Sequence, residues 1–316
     1  MMRVFCWTLI ASWLPAVSGA AAQFEVLQED GVVTVTVDGE LFTRYVPKSG
    51  PKPILWPLVG PTGKEMTRGY PMRDALPYEK KDHVHHRSLW FTHGNVNGVD
   101  FWMEADKHGD IVHREFVQVA GGPQATIVTR NDWIAPDGKK VCEDERSFVL
   151  GAGGGARWID VELRVKATEG PVTFGDTKEG SFGVRVCETM KVEAKLGGKI
   201  VNSEGKTDGD AWGKQAAWVD YYGPVEGEVL GIAIMNHPTS FRFPTHWHVR
   251  TYGLFTANPF GLSDFNPGAG LNGSHTIAVN QEMVLRYCVV LHKGTTEDAG
   301  VGRMYDEYVK RCSGGN

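Results

Sequence analysis

Seven of the eleven His of this chain fall into two short windows. The first opens with Asp82-His83-Val84-His85-His86-Arg87 and continues through Trp90 and His93 to Asn97, Asp100 and Trp102. The second begins at Asn236-His237-Pro238 and ends in His246-Trp247-His248-Val249-Arg250. Each contains an H-x-H pair, and on a strand residues i and i+2 point to one face. Two such pairs on separate strands are expected to converge on one pocket. Three chemistries fit them. Neutral imidazoles ligate a metal, with His83, His85, His246 and His248 as the set for zinc, copper or iron. Alternatively, His85, His86 and His246 exchange protons near neutral pH. In the third reading the rings only hydrogen-bond a polar ligand, and the structural alternative is that they satisfy one another in a loop-rich core.

A third segment, Asp176-Thr177-Lys178-Glu179-Gly180-Ser181-Phe182-Gly183-Val184-Arg185, carries both charges between two glycines. Glu179 is its candidate general base, with Lys178 or Arg185 placed to hold the ionised form. A solvated surface hairpin is the ordinary alternative. Arg68, Arg87, Asn97, Asp100, Lys178, Arg185, His237, Trp247 and Arg250 are the candidate substrate contacts. Trp90, Trp102, Trp212, Trp218 and Trp247 lie in or near these segments, and indole beside Asp, Asn, Arg and His is the make-up of a sugar site. Packing in the core is the competing role for each.

Residues so far apart must be positioned by a strand-rich scaffold. Val33, Val35 and Val37 alternate with Thr34 and Thr36; Ile159 to Val165 and Met283 to Leu291 show the same period of two, the pattern of strands buried on one side. Turn signals such as Glu29-Asp30-Gly31 and Pro136-Asp137-Gly138 separate them. The fold expected is all-β, one large antiparallel sandwich over 23–316. Only the segment from about Glu297 to Arg311 reads as helix, with Val301, Met304, Tyr305, Tyr308 and Cys312 on one stripe that packs on the outside of a sheet. Gly151-Ala152-Gly153-Gly154-Gly155-Ala156 imitates a dinucleotide fingerprint, but a strand pattern follows where a helix is required, so it reads as a hairpin loop.

Composition narrows the classes further. In 316 residues there are 39 Gly and 16 Pro, too many for a helical bundle, and 10 Trp, too many for a disordered tail. The net charge of −5 comes without a basic run, which leaves no footprint for nucleic acid. Arg3 followed by an apolar run to Leu14 and a small-residue tract to Ala22 reads as a secretory signal peptide over 1–22, and no later stretch approaches spanning length. The expected protein is therefore exported, periplasmic or extracellular, with a small molecule or oligosaccharide as partner. Cys142, Cys187, Cys288 and Cys312 then form two disulfides or remain buried thiols.

Trp56-Pro57, Gly60-Pro61, Thr67-Arg68, the run from Asp82 to Trp102, Thr177-Lys178-Glu179-Gly180, Trp212-Gly213-Lys214, Trp218-Val219-Asp220-Tyr221, Pro244 to Arg250 and Tyr252 to Gly261 resemble the signature of the PmoA-type family of exported bacterial proteins. The resemblance spans nearly the whole chain after the leader and implies export, but the family carries a methane-oxygenase label and essentially no characterised activity. Methane chemistry does not follow from these residues. A histidine brace needs an N-terminal His, whereas leader cleavage would expose Ala21 or Gln23. The layout is similar, by analogy of architecture only, to the supersandwich of galactose mutarotases and polysaccharide lyases. The reading preferred from sequence is an enzyme acting on carbohydrates or glycosides by His/Glu acid–base chemistry, as an epimerase, lyase or hydrolase. A His-liganded metal enzyme or metal-binding protein is the second, and a non-catalytic sugar-binding module the third.

Overall fold

The computed structural model describes residues 22–313, so the expected leader lies outside the described residues apart from Ala22. Two eight-stranded antiparallel sheets face one another. In spatial order the front sheet runs Phe24–Glu29, Val32–Val37, Glu40–Ser49, Lys52–Leu55, Leu89–His93, Gly180–Arg185, Leu254–Asn258 and His246–Val249. The back sheet runs Lys199–Asn202, Trp218–Val225, Glu228–Asn236, Glu282–Lys293, Ala156–Lys166, Lys140–Gly153, Ala125–Ile134 and Asp110–Ala120. A two-stranded ribbon pairs Val172–Phe174 with His275–Ile277.

The period-two residues make the core. Val33, Val35, Val37, Ile159, Val161, Leu163, Val165, Leu285, Tyr287, Val289 and Leu291 are all buried in one cluster between the sheets. Phe182 of the front sheet stacks on Tyr287 of the back sheet with centroids 4.8 Å apart and planes 3° from parallel. An aromatic pair of this kind adds about 0.5–1.5 kcal/mol beyond its buried area. The all-β sandwich expected from alternation is the observed fold. Gly153–Ala156 closes a hairpin through Gly154 and Gly155 at φ of 59° and 79°, which excludes the dinucleotide reading.

At the C-terminus one expected helix is two. Thr296–Ala299 is capped by Thr295 in a reciprocal capping box, Gly300 turns left-handed at φ 67°, and Val301–Ser313 follows. Val301 and Tyr308 bury against Ala233, Met235, Cys288 and Val290 on the outer face of the back sheet. The four Cys of the described residues are free thiols, with Cys142 and Cys288 buried. Among the described residues no helix is long and apolar enough to cross a membrane.

Candidate functional site

Strand parity decides what the outer face of the front sheet can offer. In His246–Val249 the side chains of Trp247 and Val249 enter the core, so His246 and His248 must face outward. In Leu89–His93, Leu89 and Phe91 face in and Trp90 faces out; in Gly180–Arg185, Phe182 and Val184 face in and Arg185 faces out. Gly183 stands where a Cβ would lie 2.2 Å from the Thr256 methyl, so its glycine is required by close strand packing.

His248 is the most specifically held group on this face. Its Nδ1 lies 2.6 Å from the Lys178 carbonyl, which only accepts, so Nδ1 carries the proton and Nε2 keeps its lone pair. Nε2 has no hydrogen-bond partner among the described residues. Burial lowers the His248 pKa, the Lys178 carbonyl and the Glu179 charge oppose that, and Arg250 adds to it. The carbonyl is itself fixed, because Asn258 Nδ2 donates to Thr177 O and Lys178 O at 2.9 Å each. Asp264 Oδ2 takes the Lys178 N–H at 2.8 Å. Glu179 follows in the same pinned loop, its carboxylate 3.2 Å from Lys178 Nζ and about one-third exposed.

The H-x-H pair of the first window does not sit on a strand. His86 N donates to His83 O at 3.0 Å, closing a turn, and His83 and Ser88 adopt left-handed φ of 43° and 54°. This corrects the expectation of a second strand-borne H-x-H pair. Arg68 organises the turn: fully buried, it donates to the carbonyls of Tyr70, His83 and His86 and to Asp82 Oδ1 at 2.6 Å. Asp82 Oδ1 also accepts from Arg185 Nη2 at 3.1 Å. His86 Nδ1 faces Arg185 Nη1 at 3.3 Å, and because guanidinium only donates, His86 is the Nε2–H tautomer.

Burial, with the neighbouring cations adding to it, pushes His85 down to about 3 and His86 well below the ordinary imidazole range. Burial and then Arg242 lower His246 as well. At neutral pH these rings are uncharged. His85 and His246 therefore do not supply a proton from an imidazolium in the free protein; the acid–base group best poised for removing one is His248, a role the sequence reading gave to Glu179. Arg185 is itself lowered to about 10 by burial and by Arg68, with Asp82 opposing.

The two windows are joined by a chain of ring contacts. His86 stacks on His83 at 4.8 Å and His83 on Tyr252 at 5.1 Å. Arg250 lies over both Tyr252, at 5.6 Å, and Trp212, at 5.8 Å. Trp212 meets His248 edge-on at 6.3 Å, and Phe265 stacks on His246 at 5.6 Å. His83, His85 and His86 thus lie over the middle of the front sheet, beside Trp90 and Arg185, and His246 and His248 on its edge strand. Among the described residues no three His, Cys, Asp or Glu side chains gather closely enough to hold a metal ion. The four-histidine set of His83, His85, His246 and His248 is therefore not formed, and no site for zinc, copper or iron is built from it.

Several sequence candidates have other duties. Trp247 is buried between the sheets with its indole N–H on Ala216 O at 2.9 Å. Arg87 is committed to Glu104 through two bonds of 2.7 and 2.6 Å, and Lys52, lowered by burial to about 8, shares that carboxylate. Asn97 accepts the Thr173 N–H at 2.7 Å and Asp100 caps the amides of Trp102 and Met103. Arg68 positions the His turn without reaching solvent. His237 lies on the other sheet, against Tyr308 at 5.3 Å, in a cleft of about 580 Å³ also lined by Glu162 and Arg286. That cleft's charges are already matched, Glu162 with Arg286 at 2.7 Å and Asp160 with Arg311 at 2.7 Å. Lys178, Glu179, Arg185 and Arg250 remain on the front face with the histidines.

Tyr252 and Phe265 were not foreseen as site residues. Tyr252 has a weak signal, following Arg250 at a spacing of two, but Phe265 comes from the four-residue helix Leu262–Phe265 and has none. Indole N–H groups of Trp90, Trp102 and Trp212 are buried there without hydrogen-bond partners. Together the face offers an oriented imidazole base, a carboxylate, an unpaired guanidinium and flat aromatic surfaces.

Comparisons with known proteins place the chain without naming its chemistry. Among solved structures, the Slr1438 protein of Synechocystis sp. PCC 6803 is similar over 87% of this chain and 93% of its own, at 11% identity and a TM-score of 0.33. A galactose mutarotase related enzyme of Lactobacillus acidophilus is similar over 86% and 98%, at 10% identity and a TM-score of 0.27. A search of curated proteins gave no match. The family model of DUF6807, a family of unknown function, matches residues 32–306, and the chain belongs to that family.

Proposed function

We propose that this protein is an enzyme acting on a carbohydrate, moving a proton at a sugar carbon or hydroxyl with His248 as base and Glu179 as its carboxylate partner. The observation that carries this reading is the His248 ring itself: a backbone carbonyl fixes its tautomer and leaves Nε2 as an unused acceptor beside Glu179 and Arg250. A neutral imidazole, oriented by its second nitrogen, is what general-base catalysis requires. Trp212 supplies a ring face for sugar CH groups, and charged groups beside it pair with hydroxyls. Export, as expected from the leader, belongs to the same proposal.

The test is turnover of a panel of glycosides and oligosaccharides followed by product analysis. His248→Asn and Glu179→Gln are each expected to lower turnover about 10²–10⁴-fold while the thermal melt stays in place. Turnover retained in both variants overturns the mechanism. Binding without product on prolonged incubation assigns a sugar-binding module instead.

A further inference from the structure

The chain as a whole is acidic, with a net charge of −5, yet three carboxylates of the front face are each already shared with its cations. Asp82 takes both Arg68 and Arg185 on a single oxygen, at 2.6 and 3.1 Å. Glu104 takes both Lys52 and Arg87, at 3.1 and 2.6 Å. Glu179 takes Lys178. Arg250 is left over. Its guanidinium makes no hydrogen bond or ion pair among the described residues and lies 5.8 Å from the Trp212 ring and 5.6 Å from the Tyr252 ring. Contact with two rings lowers the side-chain entropy left to be lost when an anion docks.

We infer that the substrate of this site is an anionic sugar, a uronate whose carboxylate pairs with Arg250 while its ring lies against Trp212. The inference rests on the carbohydrate reading above and narrows it. A guanidinium presents a planar fork that matches a carboxylate with two parallel N–H···O bonds. The flanking rings place apolar surface next to that fork, where the sugar ring of a uronate would follow its carboxylate. His248 lies against Trp212 on the same side. A base there is close to the carbon that bears the carboxylate, whose proton is the most acidic of the C–H groups once the charge is neutralised.

Calorimetric titration of the full chain at low salt tests this with four probes: the methyl glycoside of glucuronic acid, its methyl ester, methyl glucoside, and methyl glucoside 6-sulfate. The acid is expected to bind at least about tenfold more tightly than its ester, the size of one charged hydrogen-bonded pair. Arg250→Gln should abolish that preference and Arg250→Lys should keep part of it, with circular dichroism melts confirming that both variants fold. Equal binding of acid and ester overturns the inference but leaves the sugar reading standing. A sulfate that binds more tightly than the carboxylate overturns the uronate assignment in favour of a sulfated sugar. Persistence of the preference in Arg250→Gln overturns the role of Arg250. Failure of all four probes to bind at millimolar concentration overturns both readings.

Discussion

His248 and His292 are both buried rings on the outward side of a strand, one on each sheet, and they have been put to opposite uses. His292 faces two acceptors, Asp220 Oδ1 at 3.0 Å from Nε2 and Lys293 O at 3.2 Å from Nδ1. Two acceptors call for two N–H groups, and Asp220, with its hydrogen bond, raises the His292 pKa against the opposing effect of burial. The second Asp220 oxygen takes Thr296 Oγ1 at 2.7 Å, from the short helix that covers it. Every polar atom there is spoken for. His248 has one acceptor, burial lowers its pKa against that acceptor and Glu179, and one nitrogen stays uncommitted. A saturated histidine serves the fold; an unsaturated one of the same burial is available for chemistry.

Substituting the two rings separates these roles most sharply. His248→Asn keeps a donor for the Lys178 carbonyl and removes the lone pair, so turnover is expected to fall about 10²–10⁴-fold with the melt unchanged. The next largest effect belongs to the back sheet. Asp220→Ala leaves His292 without its charge partner and Thr296 without its acceptor, and breaking a buried pair from one side costs about 3–5 kcal/mol. Denaturant melts should show that loss most strongly below pH 6.5, the reference value for His292. A raised histidine pKa contributes stability that is complete below the unfolded value and fades as pH rises through the folded one. Equal destabilisation at pH 5 and pH 9 would show that His292 is neutral in the native state.

The front sheet has the reverse pH signature. Burial lowers His93 to about 4 and His85 to about 3, both from 6.5. The unfolded chain therefore binds protons that the native one refuses, and stability falls as pH drops from 6.5 towards those values. For His93, which donates to Gly175 O at 2.8 Å and faces Ser181 Oγ at 3.1 Å, the full loss is about 3 kcal/mol. His93→Gln should remove close to one proton from the slope of unfolding free energy against pH between 6.5 and 4. An unchanged slope would mean that His93 is charged in the fold.

The scaffold could be read in the sequence because one-sided burial imposes a period of two, and Val33 to Val37 or Ile159 to Val165 obey it without exception. Parity also contained a lesson that went unused. If His246 and His248 face outward, Trp247 cannot, so its place in the core followed from the same rule that paired the histidines. The turn at His83–His86 was not legible, because it is imposed by Arg68 reaching carbonyls fifteen and eighteen positions further on. Nor was Gly300 read as the break between two helices, although glycine in a left-handed cap is its usual cause. The candidate site's members come from three segments that the sheet order Leu89–His93, Gly180–Arg185, Leu254–Asn258, His246–Val249 brings together, and no local pattern encodes that order.

The smallest expected effect concerns His237, which stands beside the candidate site residues in the sequence and is carried by the opposite sheet. Its Nδ1 accepts the Thr239 N–H at 3.2 Å and its ring meets Tyr308 of the C-terminal helix edge-on. Tyr308 is buried against the back sheet, so His237 contributes to seating that helix. His237→Gln removes the imidazole's bonds to Thr239 and an aromatic edge, worth about 1–2 kcal/mol, and leaves the front face untouched. Turnover and uronate affinity should stay at the level of the parent while the melt drops slightly. A marked loss of either at constant fold would mean that the two outer faces communicate through the core, and would end the assignment of chemistry to the front sheet alone.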